Sequence, residues 1–407
     1  MVRPVLTIAV LLAALVPASA PGAGVPSVSD VHIAYGDACV NHATAVLNDA
    51  EHGPPAASAG STHEITPEIT RTGAASGAVW ITGQNYDSVA RVAANGRVSV
   101  HQLPRRPNAP CLGPHGIEFD RGGKLWVSLE FAGAIAQLDS GGAIVKSYDV
   151  RYFCKGCGGG ANARTWINPH PHGMTIAHDG KTIWYTGKAT GSVGKITLAN
   201  GRVETFALPT LGGVPIYVKE DRHGIMWVTE LVGNRIARVA PSGAVNEYSI
   251  PTPNSRPIAI VPGPDDAMWF SEEAGSKVGR IDANGTITEL DIPPPASPST
   301  NRYILAGLAF DTSGNLWTQQ YVDPNAPGPA PSGRPCANAC DYIVEIDKAT
   351  LATHAPGTPL AVTRYQVPTA GTVMHRIIAG LDGTMWFTEL KTNRVGEYTP
   401  AHPPASR

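Results

Sequence analysis

Histidine recurs at one register position in this chain. Seven tryptophans, at 80, 126, 184, 227, 269, 317 and 386, each sit in a similar apolar stretch. Counting back eleven residues from five of them gives His115, Ile216, Ile258, Ala306 and His375, and twelve back from Trp184 gives His172. Imidazole thus replaces apolar filler at three equivalent places. His170 lies two before His172, in Asn168-Pro169-His170-Pro171-His172-Gly173. Residues two apart in extended chain share a side, so His115, His170 and His172 are expected at one rim. Imidazole can take or give a proton near neutral pH and can ligate a metal. The plainer reading of any single histidine is a ring satisfying backbone groups at a turn. Clustering at matching positions favours chemistry here, with His375 as a further substrate contact.

Carboxylates recur as well. Glu230, Glu272 and Glu389 each follow their tryptophan by three. That regularity points to a structural job, such as pairing with Arg235, Lys277 and Arg394 of the same repeats. Glu130 follows Trp126 by four and lies in a histidine-bearing repeat. It is the carboxylate expected to touch substrate.

These residues need a scaffold that brings them together. The tryptophan repeats are spaced 43 residues (184 to 227) and 42 residues (227 to 269) apart. Short strands and turn signals at a period near forty predict a β-propeller, one four-stranded blade per repeat. Seven repeats predict seven blades, approximately 68–104, 105–150, 166–208, 209–251, 252–293, 300–367 and 368–400. Large aromatics in the second strands should fill the space between sheets. The last repeat ends at Gly396-Glu397-Tyr398-Thr399-Pro400 without an outer strand. His63-Glu64-Ile65-Thr66-Pro67 resembles the outer strands of other repeats. An N-terminal strand is therefore expected to complete the last blade and close the ring, which removes exposed edges. Insertions at 151–165 and 321–341 should overhang one mouth of the channel.

Composition bounds the remaining possibilities. Residues 1–20 carry Arg3, an apolar run over 5–16 and Ala18-Ser19-Ala20, the pattern of a cleaved secretory signal. A secreted or periplasmic product is expected, with an Ala/Gly/Pro-rich extension at 21–61, the propeller at 62–400 and a tail at 401–407. No stretch is long enough to span a bilayer. Net charge is −2 and only 16% of residues are charged, with no basic block, so no nucleic-acid partner is expected. A monomer acting on a small or peptide-like molecule fits these bounds. Six cysteines in an exported chain suggest disulfides. Local pairs Cys154–Cys157 and Cys336–Cys340 leave Cys39 with Cys111; a zinc site from the four locally paired cysteines is the alternative. Phosphate-cradling loops, nucleophile elbows and helical metalloprotease motifs are missing from the sequence.

The repeated unit resembles the virginiamycin B lyase (streptogramin lyase) family of seven-bladed propellers. The resemblance rests on Arg256-Pro257-Ile258-Ala259-Ile260, Trp269-Phe270-Ser271-Glu272, Lys277-Val278-Gly279-Arg280-Ile281 and Ile287-Thr288-Glu289-Leu290, and covers roughly 62–400. It implies a carbon–oxygen lyase that opens a cyclic depsipeptide at its ester by elimination, using Mg²⁺. It aligns the family's first histidine with His115, in Gly113-Pro114-His115-Gly116, and its general-base histidine with His172. It aligns the two metal-binding glutamates with His170 and Lys188. Both imidazoles are kept and both carboxylates are replaced.

Mg²⁺ prefers hard oxygen ligands, so the replaced pair suits it poorly. Lys188 could instead supply the positive charge that a developing enolate needs. A softer metal on His115, His170 and His172 is a further possibility. The expected assignment is His172 as base, His115 and Lys188 as catalytic partners, and His170, Glu130 and His375 as substrate contacts. A non-catalytic propeller binding a peptide, glycan or cell-wall fragment is the alternative.

Overall fold

The computed structural model describes residues 26–39, 61–105, 110–155, 164–295, 301–325, 339–355, 358, 360–380 and 382–400. Seven four-stranded antiparallel sheets succeed one another along the chain. Blades 1 to 6 span 62–102, 114–149, 171–207, 215–249, 257–291 and 303–366; blade 7 takes 374–399 together with 27–32. Inner strands touch in cyclic order, the seventh meeting the first, so the sheets form a closed propeller. One short helix, Lys348–Thr353, decorates blade 6, capped by the Asp347 carboxylate.

The second strand of each blade is sandwiched between its own sheet's neighbours and the adjacent blade. Met226–Glu230, Met268–Glu272 and Met385–Glu389 are buried at every position, which explains the three consecutive apolar residues that open each one. The tryptophans pack as expected, each onto the next blade. Trp80 meets Leu125 and Val127, Trp184 meets Met226 and Val228, and Trp386 returns to Ile65 and Val79. The core is therefore a circle of inter-blade contacts. Turns between inner and second strands are set by aspartate. The Asp221 carboxylate accepts from the amides of His223 and Ile225 and from Trp227 Nε1 at 2.8, 3.0 and 2.8 Å. Asp311 repeats this with Ser313, Asn315 and Trp317. One side chain thus fixes both the turn and the indole.

An N-terminal strand does close the ring, but it is Ser27–His32, paired antiparallel with Arg394–Thr399. The segment around His63 is instead the inner strand of blade 1, Thr62–Ile69. The misreading came from a longer inner hairpin: Trp80 follows His63 by 17 residues, against 11 for Trp126 and His115. Strand Ser27–His32 falls in a stretch whose composition reads as a linker, yet it belongs to blade 7. Beyond it, Cys39 is disulfide-bonded to Cys111, with Cα atoms 5.9 Å apart. Cys340 is also disulfide-bonded, which removes it from the alternative zinc site. Cys157 and Cys336 lie outside the described residues, as do the signal sequence and the tail. Among the described residues no helix is long and apolar enough to cross a membrane.

Candidate active site

Every inner strand slips register near its start, and that of blade 1 slips again between Pro67 and Ile69. Such a bulge re-aims the side chains beside it. The residue just inside the slip is His63, His115, His172, Ile216, Ile258, Ala306 and His375 in blades 1 to 7 respectively. A hydroxyl two residues after six of the seven tryptophans stands at this point. Thr82 Oγ1 accepts from the Glu64 amide at 3.0 Å and donates to the His115 carbonyl of the next blade at 2.9 Å. Ser128 accepts from Gly116 and donates to the His172 carbonyl, both at 2.7 Å. Thr388 closes the circle on the His63 carbonyl at 2.9 Å. In blade 6 the amide of Gln319 does both tasks, accepting from Gly307 and donating to the Arg376 carbonyl at 3.0 Å each. Gly116 is required here, because a Cβ would lie 2.7 Å from the His172 carbonyl oxygen.

These clasps hold four imidazoles in an arc over blades 7, 1, 2 and 3. Ring centroids of His63 lie 5.0 Å from His375 and 4.9 Å from His115, and His115 lies 3.5 Å from His172. The rest of the circle is Ile216, Ile258 and Ala306, all buried. His172 Nδ1 lies 2.9 Å from the Ile216 carbonyl. A carbonyl only accepts, so Nδ1 carries a proton, and the tautomer this selects has its lone pair at Nε2. Beneath the arc, Arg376 pairs with Glu64 at 2.6 Å and lies over the Tyr217 ring at 4.6 Å. Lys219 pairs with Glu118 at 2.7 Å. Side chains from blades 1, 2, 4 and 7 thus meet below the imidazoles.

A second circle forms the rim. Just before the inner strand the backbone is left-handed at Gly113, His170, Val214, Arg256 and Val373, with φ between 47° and 61°. Valine is a rare occupant of that region, and such strain is retained where the surroundings fix it. The carbonyl of each accepts from the amide four after the tryptophan, as Gly113 does from Glu130 at 2.8 Å and His170 from Lys188 at 3.2 Å. Glu130 lies on the blade 2 part of this rim, between blades 1 and 3. Its Oε2 accepts from Gln84 Nε2 at 2.6 Å, and its Oε1 lies 3.6 Å from Lys188 Nζ and 3.7 Å from His170 Nδ1. Burial pushes its carboxyl up, but Lys188, His170 and His172 together outweigh that and hold it at about 2. It is a carboxylate at any working pH. Across the mouth, Glu273 binds Arg256 at 2.6 Å and accepts from the Tyr321 hydroxyl at 3.0 Å.

The structure therefore brings His115, His172, Glu130, His170 and Lys188 together. His375 joins the imidazole arc. His115 and His172 are buried, at 0% and 1% exposure, while His170 and Lys188 stand partly exposed above them. His170 does not share a side with His172 as alternation suggested. The strand begins at Pro171 and His170 precedes it in the left-handed conformation, which turns it to Glu130. Among the described residues, donor atoms converge in His63, His115 and His375 and in His115, Glu130 and His172, rather than in His115, His170 and His172. His63 escaped the sequence reading because of its longer hairpin. The triplet His-x-Ile, at His63, His115 and His375, was the signal that marks it.

The Trp-x-x-Glu carboxylates do not pair with their repeat's cation. Arg394 binds Asp30 at 2.9 Å, Lys277 binds Asp291 at 2.5 Å and Arg235 lies 3.8 Å from Glu247. Glu230, Glu272 and Glu389 are buried instead. Burial first, then the neighbouring Glu247, Glu289 and Asp30 respectively, pushes each up to about 8. At the places where the resemblance puts Mg²⁺ ligands, an ammonium and an imidazole face Glu130. One hard oxygen ligand beside a fixed cation does not fit Mg²⁺.

Residues 162–323 match the sequence model of the Virginiamycin B lyase family. No curated protein has a matching sequence. Among solved structures, virginiamycin B lyase from Staphylococcus aureus is 22% identical with a TM-score of 0.64, over 92% of this chain and 99% of that one. A second, described as a streptogramin B lyase, is 21% identical with a TM-score of 0.64, over 92% and 98%. The extracellular domain of a putative hybrid two-component system from B. thetaiotaomicron is 10% identical with a TM-score of 0.54, over 85% and 41%. The chain resembles the virginiamycin B lyase family in sequence over 162–323 and shares its seven-bladed propeller fold.

Proposed function

We propose that this protein is an exported carbon–oxygen lyase that opens an ester in a cyclic or peptide-like substrate by β-elimination. The single observation that carries the reading is the state of His172. Its Nδ1 is committed to the Ile216 carbonyl, so Nε2 is the basic atom, and it lies beneath a rim bearing both charges. In the step proposed, Nε2 takes the proton from the carbon between a carbonyl and the ester-bearing carbon. The electron pair forms a carbon–carbon double bond, the carbon–oxygen bond breaks, and the ester leaves as a carboxylate. The Lys188 ammonium stabilises charge developing on the carbonyl oxygen. Glu130 stabilises the imidazolium formed at His172. His115, packed against His172, orients the substrate or shares the proton, and His170 and His375 contact substrate. Mg²⁺ is not required for any of these roles.

The likeness to the lyases supports this substrate class. One of those structures is a catalytically inactive variant of the S. aureus enzyme with quinupristin, 21% identical with a TM-score of 0.63, over 92% of this chain and 99% of that one. Export is supported by the Cys39–Cys111 disulfide, a bond that oxidising compartments preserve. The test is turnover of a streptogramin B such as quinupristin by native protein and by His172→Ala. The reading expects ring opening by the former and a loss of about 10²–10⁴-fold in the latter, as for removal of a general base. Equal rates would remove His172 from the chemistry. Binding without turnover by the native protein would favour a non-catalytic propeller.

A further inference from the structure

We propose that His63, His115 and His375 form a binding site for a first-row transition ion of the zinc class. The three side chains come from consecutive blades 1, 2 and 7, are all buried, and bring one donor atom each to within 4.8 Å of the others. Their spacing suits a shared ion. With Zn–N near 2.1 Å, ring centroids stand about 3.2 Å from the metal, and tetrahedral directions separate them by about 5.2 Å. The observed separations are 4.9, 5.0 and 5.9 Å. The neighbouring group of His115, Glu130 and His172 fits less well, because its two rings stand only 3.5 Å apart, too close for two corners of one tetrahedron.

The site also has an orienting carboxylate. Glu64 Oε1 lies 3.4 Å from His375 Nε2 and is itself fixed by Arg376 at 2.6 Å. A carboxylate on the far nitrogen of a ligating histidine sets ring orientation and strengthens the donor. In this proposal His375 Nδ1 is the nitrogen that binds the ion. Imidazole nitrogens select zinc, cobalt or nickel over Mg²⁺. Three protein ligands leave a tetrahedral ion one position for water or substrate. His172, packed against His115, stands beside it.

The inference does not depend on the lyase reading, and its test uses no substrate. Tag-free full-length protein is stripped with chelator, loaded with Zn²⁺ or Co²⁺ and desalted. Metal content and the visible ligand-field bands of Co²⁺ are then measured. The expected result is about one equivalent per chain. His63→Ala and His375→Gln should each weaken binding by at least about 100-fold, while His172→Gln retains it. Native protein that takes up no ion overturns the site without recourse to any variant. Binding lost in His172→Gln but kept in His63→Ala assigns the ion to the other group and overturns it too.

Discussion

At the residue scale, the rim shows how one substitution pattern changes the chemistry available. Glu130 faces Lys188 and His170 rather than a divalent ion, and their positive charge keeps its carboxyl ionised. Lys188→Ala should therefore lower turnover by about 10–10³-fold, the range of losing one charge stabiliser, with KM changed far less than kcat. A result in which only KM rises would make Lys188 a binding group. The double variant His170→Glu/Lys188→Glu restores two hard ligands. Its turnover should become dependent on added Mg²⁺, while the native rate is indifferent to it; steady-state rates across a Mg²⁺ titration check both statements. Position 115 and position 172 were readable from spacing because blade 2 keeps the common hairpin length and blade 3 exceeds it by one residue. His63 was not, since six extra residues before Trp80 broke the count, and the tautomer of His172 depends on Ile216, a backbone contact from another blade.

At the element scale, the buried carboxyls couple the blades to pH. Glu230, Glu272 and Glu389 ionise near 8 in the folded chain, against an ordinary value of 4.5. A carboxyl raised on folding holds its proton more tightly in the native state, so the stability it adds is complete below about 4.5 and is lost as pH rises through about 8. The melting temperature should accordingly fall between pH 5 and pH 9. Replacing all three by Gln should flatten that slope. A slope unchanged in the triple variant would mean that other groups set it. The repeat Trp-x-x-Glu was visible in the sequence, but its partners were not. Register sets Glu230 opposite Arg235, yet its carboxyl feels Glu247 from the outer strand, and Lys277, opposite both Glu272 and Asp291, binds the latter, contacts that linear spacing does not reveal.

At the scale of the whole molecule, the ring closes through chain ends that are far apart in sequence. Asp30 of the closing strand binds Arg394 at 2.9 Å and accepts from Thr369 Oγ1 at 2.9 Å. The disulfide that follows spans 72 residues and ties the closing segment to the link before blade 2. By loop entropy alone it stabilises the fold by about 4 kcal/mol. The double variant Cys39→Ala/Cys111→Ala should unfold at lower denaturant with blade 7 exchanging amide hydrogens first. Uniform exchange across all blades would argue against a latch. Seven blades and their tryptophan circle follow from periodicity and burial, which are local. The identity of the latch does not, because Ser27–His32 is short, half-exposed and compositionally like a linker.

The central claim is that the histidine arc performs elimination, and the source of oxygen in the product tests it most directly. Ring opening of a streptogramin B in ¹⁸O-labelled water, followed by mass spectrometry, separates the two possible fates of the ester. Elimination gives a linear product of unchanged mass, with a new double bond and no label. A product heavier by one labelled water would show hydrolysis and contradict the account.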